Sequence, residues 1–570
     1  MNDQKNLLLF VVFFLGVMTA WNYFYETPKT ERLVTQAQQA RSQDGSTVHQ
    51  PSLPEHAPLE THVKAREEII AEASRVKIDT PKLKGSINLK GARLDDLVLK
   101  NYHETISPKS PEIVVFAPEQ TQAPYFAEFG WASNNPALKL PSADTLWQAD
   151  ATDPLGAQDR ILTWDNGEGV NFEQKIHLDA DYLFTVTHTV VNHTSQPLKL
   201  YPYGRITRRG TPQTAGFFIL HEGPIGFLNN HLEEFKYDDL KEKKEIKFNC
   251  EGGWIGLTDK YWLSALIPAQ NKKFEYVFRS NSSANADSYT TGYYGEGVTL
   301  APGERFEFPH HLFAGAKVLD LLDRYEEQLG VKHFDLAVDF GWFYFLTKPM
   351  FHLLEIFKNF IGNFGLAILL MTVILKLLFF PLANKSYRSM AKMRALQPKM
   401  DKIRERHADD KLKLNQELME LYKKEKVNPM AGCLPIIIQI PVFFALYKVL
   451  FVSIEMRQAP FYGWIHDLSA PDPTSLFNLF GLIPWTPPSF LMIGAWPIVM
   501  GLTMLIQQKL NPAPADPIQA KMFMVMPLVL TVMLAQFPAG LVIYWAWSNM
   551  LSILQQWVIM RSTTIAMNKN

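Results

Sequence analysis

The sequence is poor in the features that mark most catalysts and nucleic-acid binders. Its two cysteines, Cys250 and Cys433, are too few for a disulfide framework or a multi-cysteine zinc site. There is no basic excess: 56 Lys and Arg stand against 57 Asp and Glu, a net charge of −1, which argues against a nucleic-acid partner. No serine nucleophile elbow, phosphate-binding loop or zincin helix occurs. No enzymatic activity, catalytic residue, cofactor or metal is therefore expected. What decides the class is where charge is missing, because the 570 residues divide into a polar region and long uncharged runs.

Residues 6–25 are 20 consecutive uncharged positions, enough to cross ~30 Å of hydrocarbon as a helix. Other such runs are 359–375, which resumes after Lys376, then 427–447, 473–508 and 522–560. The last is too long for one crossing, and Phe537-Pro538-Ala539-Gly540 would divide it into two joined by a tight turn. Four prolines among 473–488 make that part a loop. The expected fold is a multi-span α-helical membrane protein with six crossings, at about 6–25, 361–382, 432–454, 489–508, 520–536 and 541–560. For the first of these, an anchor is favoured over a cleaved signal peptide, since Met18-Thr19-Ala20 is a poor cleavage pattern.

Orientation follows from Lys and Arg in the loops. The stretch 383–430 carries 13 of them and 457–488 only Arg457, so the former is expected in the cytosol and the latter outside. By parity both termini are cytosolic and 26–340 is external. Residues 26–60 read as a flexible tether. From Val76 onward short strands dominate: Phe184, Val186, His188 and Val190 alternate with Thr185, Thr187 and Thr189. Asp165-Asn166-Gly167 and Gly295-Glu296-Gly297 supply turns, and a large β-sandwich is expected over 61–335. Asp179 and Asp181 read as a solvated turn rather than a metal pair. His310 and His311 must face opposite sides of a strand, and His188 reads as packed within the sheet.

Residues 384–426 read as a helical hairpin, with stripes of Met390, Met393, Met400 and Ile403 and of Leu414, Leu418 and Leu421, and with an aspartate capping its second helix. A solvated connector near anionic lipid and a docking arm for a partner are equally open readings. Lys376 lies inside the second crossing, where a charge costs several kcal/mol unless it snorkels, pairs or meets water. By spacing alone, snorkelling and solvation in a polar cavity are evenly matched. Thr372 shares its face, four residues earlier. Gln439, Gln536, Tyr544, Trp545, Ser548 and Asn549 are polar or amphipathic neighbours, and no acidic residue falls in the five C-terminal crossings. Such surroundings point to a hydrated cavity that attracts negative charge.

Met390–Pro398 (MAKMRALQP), Leu421–Pro429 (LYKKEKVNP), Gly432–Pro441 (GCLPIIIQIP), Trp464–Ser469 (WIHDLS) and Phe537–Tyr544 (FPAGLVIY) resemble the YidC/Oxa/Alb membrane protein insertases across about 340–560. The layout of the remainder resembles the Gram-negative form of that family. The resemblance implies an inner-membrane insertase and chaperone whose five C-terminal helices enclose a hydrophilic groove, together with an all-β periplasmic supersandwich. It implies that Lys376 is the groove cation, a position where many relatives have Arg, that Thr372 neighbours it, and that Tyr544 and Trp545 lie on the substrate path. Gln439 and Gln536 are added on polarity. The clients would be nascent membrane proteins, delivered alone or with the Sec translocon. The hairpin 384–426 would match the arm linked to recruitment by a signal recognition pathway or ribosome. Residues 340–358 would match an interfacial amphipathic helix. The short tail 561–570, with only Arg561 and Lys569, makes ribosome docking through it doubtful.

Overall fold

The computed structural model describes residues 63–107, 109–156, 158–214, 216, 220–282, 287–341, 344–407, 410–425, 427, 434–485, 487–488, 491–511 and 517–569, without the side chains of 411, 434–438, 517–520 and 563–569. The expected first crossing, 6–25, and the tether, 26–60, lie outside these residues. The chain divides after Asp339 into two compact units.

Among the described residues the N-terminal unit has 19 strands and three short α-helices, α1 (Arg66–Glu72), α2 (Tyr237–Lys243) and α3 (Leu319–Leu329). The strands form two antiparallel sheets, one of ten strands and one of nine. In the first sheet the strand Leu198–Arg209 is flanked by Tyr125–Ala132 and Asp287–Gly295. In the second, Leu183–Asn192 lies between Val170–Leu178 and Arg305–Ala316. The alternation read from the sequence sets the faces: Phe184, Val186, His188 and Val190 are all buried. The core is the space between the sheets, where Phe129 and Trp131 of one meet His188 and His310 of the other.

The Asp179-Asp181 turn departs from expectation, because it is paired rather than solvated. Asp181 is buried and bridges Lys82 and Arg324. Asp179 accepts the amides of Asp181 and Leu183 and the hydroxyl of Tyr325. A carboxylate closing a turn becomes the link between that turn and α3.

The C-terminal unit is helical: α4 (Tyr344–Ile361), α5 (Phe364–Leu378), α6 (Phe380–Ala395), α7 (Gln397–Arg406), α8 (Lys411–Lys424), α9 (Leu434–Val452), α10 (Ala495–Leu510), α11 (Pro517–Leu534) and α12 (Ala539–Lys569). Helices α4 and α5 meet at a 120° bend. Asn363 caps α5 by accepting the Leu366 amide. Within the expected crossing 361–382, helix α5 ends at Leu378, because Pro381 lacks an N–H and favours the first turn of a new helix. Among the described residues no single helix is both long and apolar enough to cross a membrane, although α4 and α5 together are.

The turn before α12 is tied to the 464–470 segment. The amides of Ala539 and Gly540, which have no partner inside the helix, donate to the carbonyls of Ala470 and Leu468 at 2.7 and 2.9 Å. A Cβ on Gly540 would lie 3.2 Å from that Leu468 oxygen. The FPAG and WIHDLS motifs are thus two halves of one helix cap.

In the hairpin, Asp410 caps α8 through the amides of Leu412 and Lys413. Met393, Leu396 and Met400 pack on Leu418 and Val427, with Ile403, Leu414 and Leu421 beside them. Met390 does not belong to this stripe: it packs with Tyr387 and Ile559, at the root of the hairpin against α12.

Candidate functional site: a cation in a polar cavity

Helix α12 contacts α5, α6, α9 and α10. Its residues Tyr544, Ser548 and Ser552 recur every four positions and therefore share a face. Opposite them, α5 brings Thr372 and Lys376, four apart on one stripe. A cavity of about 80 Å³, room for a few water molecules, opens between these helices. Its lining includes Thr372, Lys376, Gln439, Tyr544 and Ser552, together with Tyr387 of α6 and Gln507 of α10.

Lys376 Nζ donates to Ser552 Oγ at 2.7 Å and to Gln439 Oε1 at 3.4 Å. Gln439 in turn donates through Nε2 to Ser548 Oγ at 2.7 Å, and Ser552 donates to the Ser548 carbonyl at 2.9 Å. The ammonium is thus held by neutral oxygens, and no carboxylate is found among the described lining residues. Such oxygens orient a cation without neutralising it. Its field stays directed into the cavity, which is what an incoming negative group would meet. Thr372 is buried, and its hydroxyl is spent on the Ile368 carbonyl at 2.7 Å, so it shapes the wall rather than offering a hydrogen.

Of the six residues singled out by sequence, Lys376, Thr372, Gln439 and Tyr544 line this cavity. Trp545 does not. One step along α12 rotates it about 100° away, and it packs on Phe443 and beside Met500 and Leu534. Gln536 lies beyond the end of α11 and is not in the lining. Ser552, Tyr387, Gln507 and Gln555 were not foreseen as lining residues. The signal available for two of them was the polar stripe 544, 548, 552, 555 running down one face of a long apolar helix.

Among the described residues of the β unit, a cavity of about 370 Å³ beside Phe274 sets Glu251 and Glu296 against Lys272 and Lys273, so it presents no lone cation. His188 and His310 are buried with ring centroids 4.8 Å apart. His310 Nδ1 lies 2.5 Å from the Tyr293 hydroxyl, and His311 faces the other way, toward Thr185. Burial holds His188 down to about 3 and His310 well below the usual histidine range. The buried Glu128 is clamped between Arg93 and Arg205, so it is not free for chemistry. Glu326, His333 and Asp335 bring potential metal-ligand atoms within 4.8 Å of one another. There Glu326 already accepts the Phe334 amide at 3.0 Å, a turn-closing role.

Two family models match the chain: the YidC periplasmic domain over residues 75–353 and the 60Kd inner membrane protein over 356–567. The membrane protein insertase YidC of Methylorubrum extorquens is 50% identical, covering 98% of this chain and 95% of its own length. That of Bradyrhizobium diazoefficiens is 51% identical, covering 98% and 96%. A crystal structure of an active YidC insertase with its first transmembrane domain resolved matches at 15% identity and a TM-score of 0.35, covering 84% of this chain and 91% of the other. Those two values are too low for a geometric argument.

Proposed function

The chain belongs to the YidC family of membrane protein insertases, and from that premise we propose that its cavity receives the polar end of a nascent membrane protein. Membrane protein insertion is its function, and its location is a membrane. The β-rich periplasmic domain and the helical C-terminal part are those of the family.

The observation that carries the reading is an ammonium held by a serine and a glutamine beside a cavity whose described lining residues include no carboxylate. A substrate's acidic or polar segment enters this cavity, attracted by Lys376 and passing Tyr544, while its apolar segment moves directly into lipid. Burying ~20 apolar residues in hydrocarbon is favourable by itself, and the obstacle is the polar segment attached to them. A polar half-channel lowers that barrier with no fuel. The chain crosses the inner membrane six times, with both termini in the cytosol and 26–340 in the periplasm. Five crossings form the core, α4 lies in the interface, and the hairpin 384–426 receives clients from the Sec translocon, a signal recognition pathway or the ribosome.

Site-directed photocrosslinking tests this. Probes at 376 and 544 should capture a stalled nascent chain, whereas a probe at 545 should capture it poorly. Crosslinking from 545 alone would reject the cavity as the path.

A further inference from the structure

The segment between α9 and α10 holds a feature that the cavity does not use. Residues 473–508 carry no charge over 36 positions. Within them 476–485 is an irregular segment, a 3-10 stretch Leu476–Gly481 broken at Asn478, Leu479 and Phe480, whose large apolar side chains point outward: Phe477 is 44% exposed, Leu479 51%, Phe480 47%, Leu482 83%, Ile483 43% and Trp485 48%. Water disfavours such a cluster, and soluble surfaces rarely display one.

The loop's backbone is arranged in the opposite sense. The Leu476 amide donates to the Ile493 carbonyl at 2.9 Å, Phe480 to Ser475 at 2.8 Å, Ile483 to Asn478 at 3.1 Å and Trp485 to Ile483 at 2.8 Å. Its few polar side chains are also turned inward. Asn478 donates to the Trp485 carbonyl and accepts the Gly481 amide. Ser475 accepts the Phe477 amide and donates to the Leu491 carbonyl. At the root Asp472, 2% exposed, accepts from Trp464 Nε1, from the amide and hydroxyl of Thr474, and from the Trp496 amide. The hydrocarbon centre does not hold irregular backbone, but outward apolar side chains over a backbone bonded largely within the segment suit the shallow headgroup–acyl boundary of a bilayer. A protein partner would call for a polar rim, and among the described residues 476–485 no charged side chain supplies one. The loop also continues into α10, an apolar helix of a membrane protein.

We propose that residues 476–485 are a lipid-embedded foot, which inserts Leu479, Phe480 and Leu482 among the acyl chains beside the helical unit and fixes the height of α10 in the bilayer.

Depth-dependent quenching decides the matter. Full-length protein in a Cys250→Ala, Cys433→Ala background carries Leu482→Cys or, independently, Leu479→Cys labelled with NBD, in vesicles of phosphatidylcholine and phosphatidylglycerol. Doxyl groups on the lipid acyl chains should quench both labels severalfold more than aqueous iodide does. A label at Glu420→Cys on the hairpin should show the reverse. Dominant iodide quenching at 482 and 479 would overturn the proposal. Protection from both quenchers would overturn it too, since it would mean that protein, a client or a second copy, covers the loop.

Discussion

Lys376 and His188 are basic groups that no described carboxylate neutralises, and they differ in what surrounds them. Lys376 is solvated by oxygens of Ser552 and Gln439. A pair of opposite charges ~4 Å apart is worth about 4 kcal/mol at an effective dielectric near 20, partly offset by lost hydration. We therefore expect Lys376→Ala to slow insertion of a substrate with an acidic tail about tenfold or more, as measured in reconstituted vesicles, and Lys376→Arg to stay near the parent rate. Equal rates for all three would remove the charge from the mechanism. His188 has no such help: neither ring nitrogen has a hydrogen-bond partner among the described residues, and its neighbours are Phe129, Trp131 and His310. Burial depresses the folded-state pKa of both histidines. Their neutral form is thus tolerated above the unfolded value near 6.5, and stability falls as pH drops below it, by about 1.4 kcal/mol per pH unit for each ring until the folded pKa is reached. For His188 that window runs from roughly 6.5 down to about 3. The melting temperature of the β unit should fall between pH 6.5 and 4.5, and His188→Leu should make that fall shallower while leaving the pH 7.5 value close to the parent's. An unchanged slope in the variant would show that other groups carry the acid sensitivity.

Among the elements, α10 and α11 approach through a glycine. A Cβ at Gly501 would stand 2.1 Å from Thr531 Oγ1, which is itself bonded to the Pro527 carbonyl at 2.7 Å. Close helix approach through small residues is the usual means of packing in lipid. Gly501→Ala should cost about 1–3 kcal/mol by overpacking. Adding Thr531→Ala should recover most of it, because the blocking oxygen is gone. Thermal unfolding in detergent of the two single variants and the double variant reads the coupling, and strict additivity would show that the two sites do not share this contact. The helices were legible as uncharged runs, but their ends were not. Lipid thickness sets how long an apolar run is, whereas helix ends follow backbone chemistry: Pro381 stops α5 at Leu378, and the polar but helix-compatible Arg561-Ser562-Thr563-Thr564 lets α12 continue to Lys569. Thr372 and Lys376 were legible as cavity partners because four residues return a helix to the same face. Trp545, placed with Tyr544 by the family resemblance, stands outside the cavity lining because one step along α12 turns it toward Phe443. Ser552 escaped because its partnership with Lys376 spans 176 positions.

At the scale of the whole molecule, the two units divide their work by what each buries. Alternation exposed the strands of the β unit to a sequence reading, but not their order. Tyr125–Ala132, Leu198–Arg209 and Asp287–Gly295 lie side by side in one sheet while far apart in the chain, and no local pattern encodes such pairings. The β unit has its own core between its sheets, where Glu128 is paired with Arg93 and Arg205 and where His188 and His310 sit among aromatic rings. The described residues of the polar cavity come instead from α5, α6, α9, α10 and α12, with Phe379 at the junction of α5 and α6. If insertion depends on that cavity, removing 70–330 and joining the flanking chain with a flexible linker should leave insertion of a small two-span substrate in proteoliposomes near the full-length rate, provided the shortened chain reaches the membrane in equal amount. The same deletion combined with Lys376→Ala should lose activity on an acidic-tailed substrate as severely as Lys376→Ala does alone. Loss of insertion by the deletion while crosslinking from position 376 persists would place a second, necessary step in the β unit, downstream of substrate entry into the cavity.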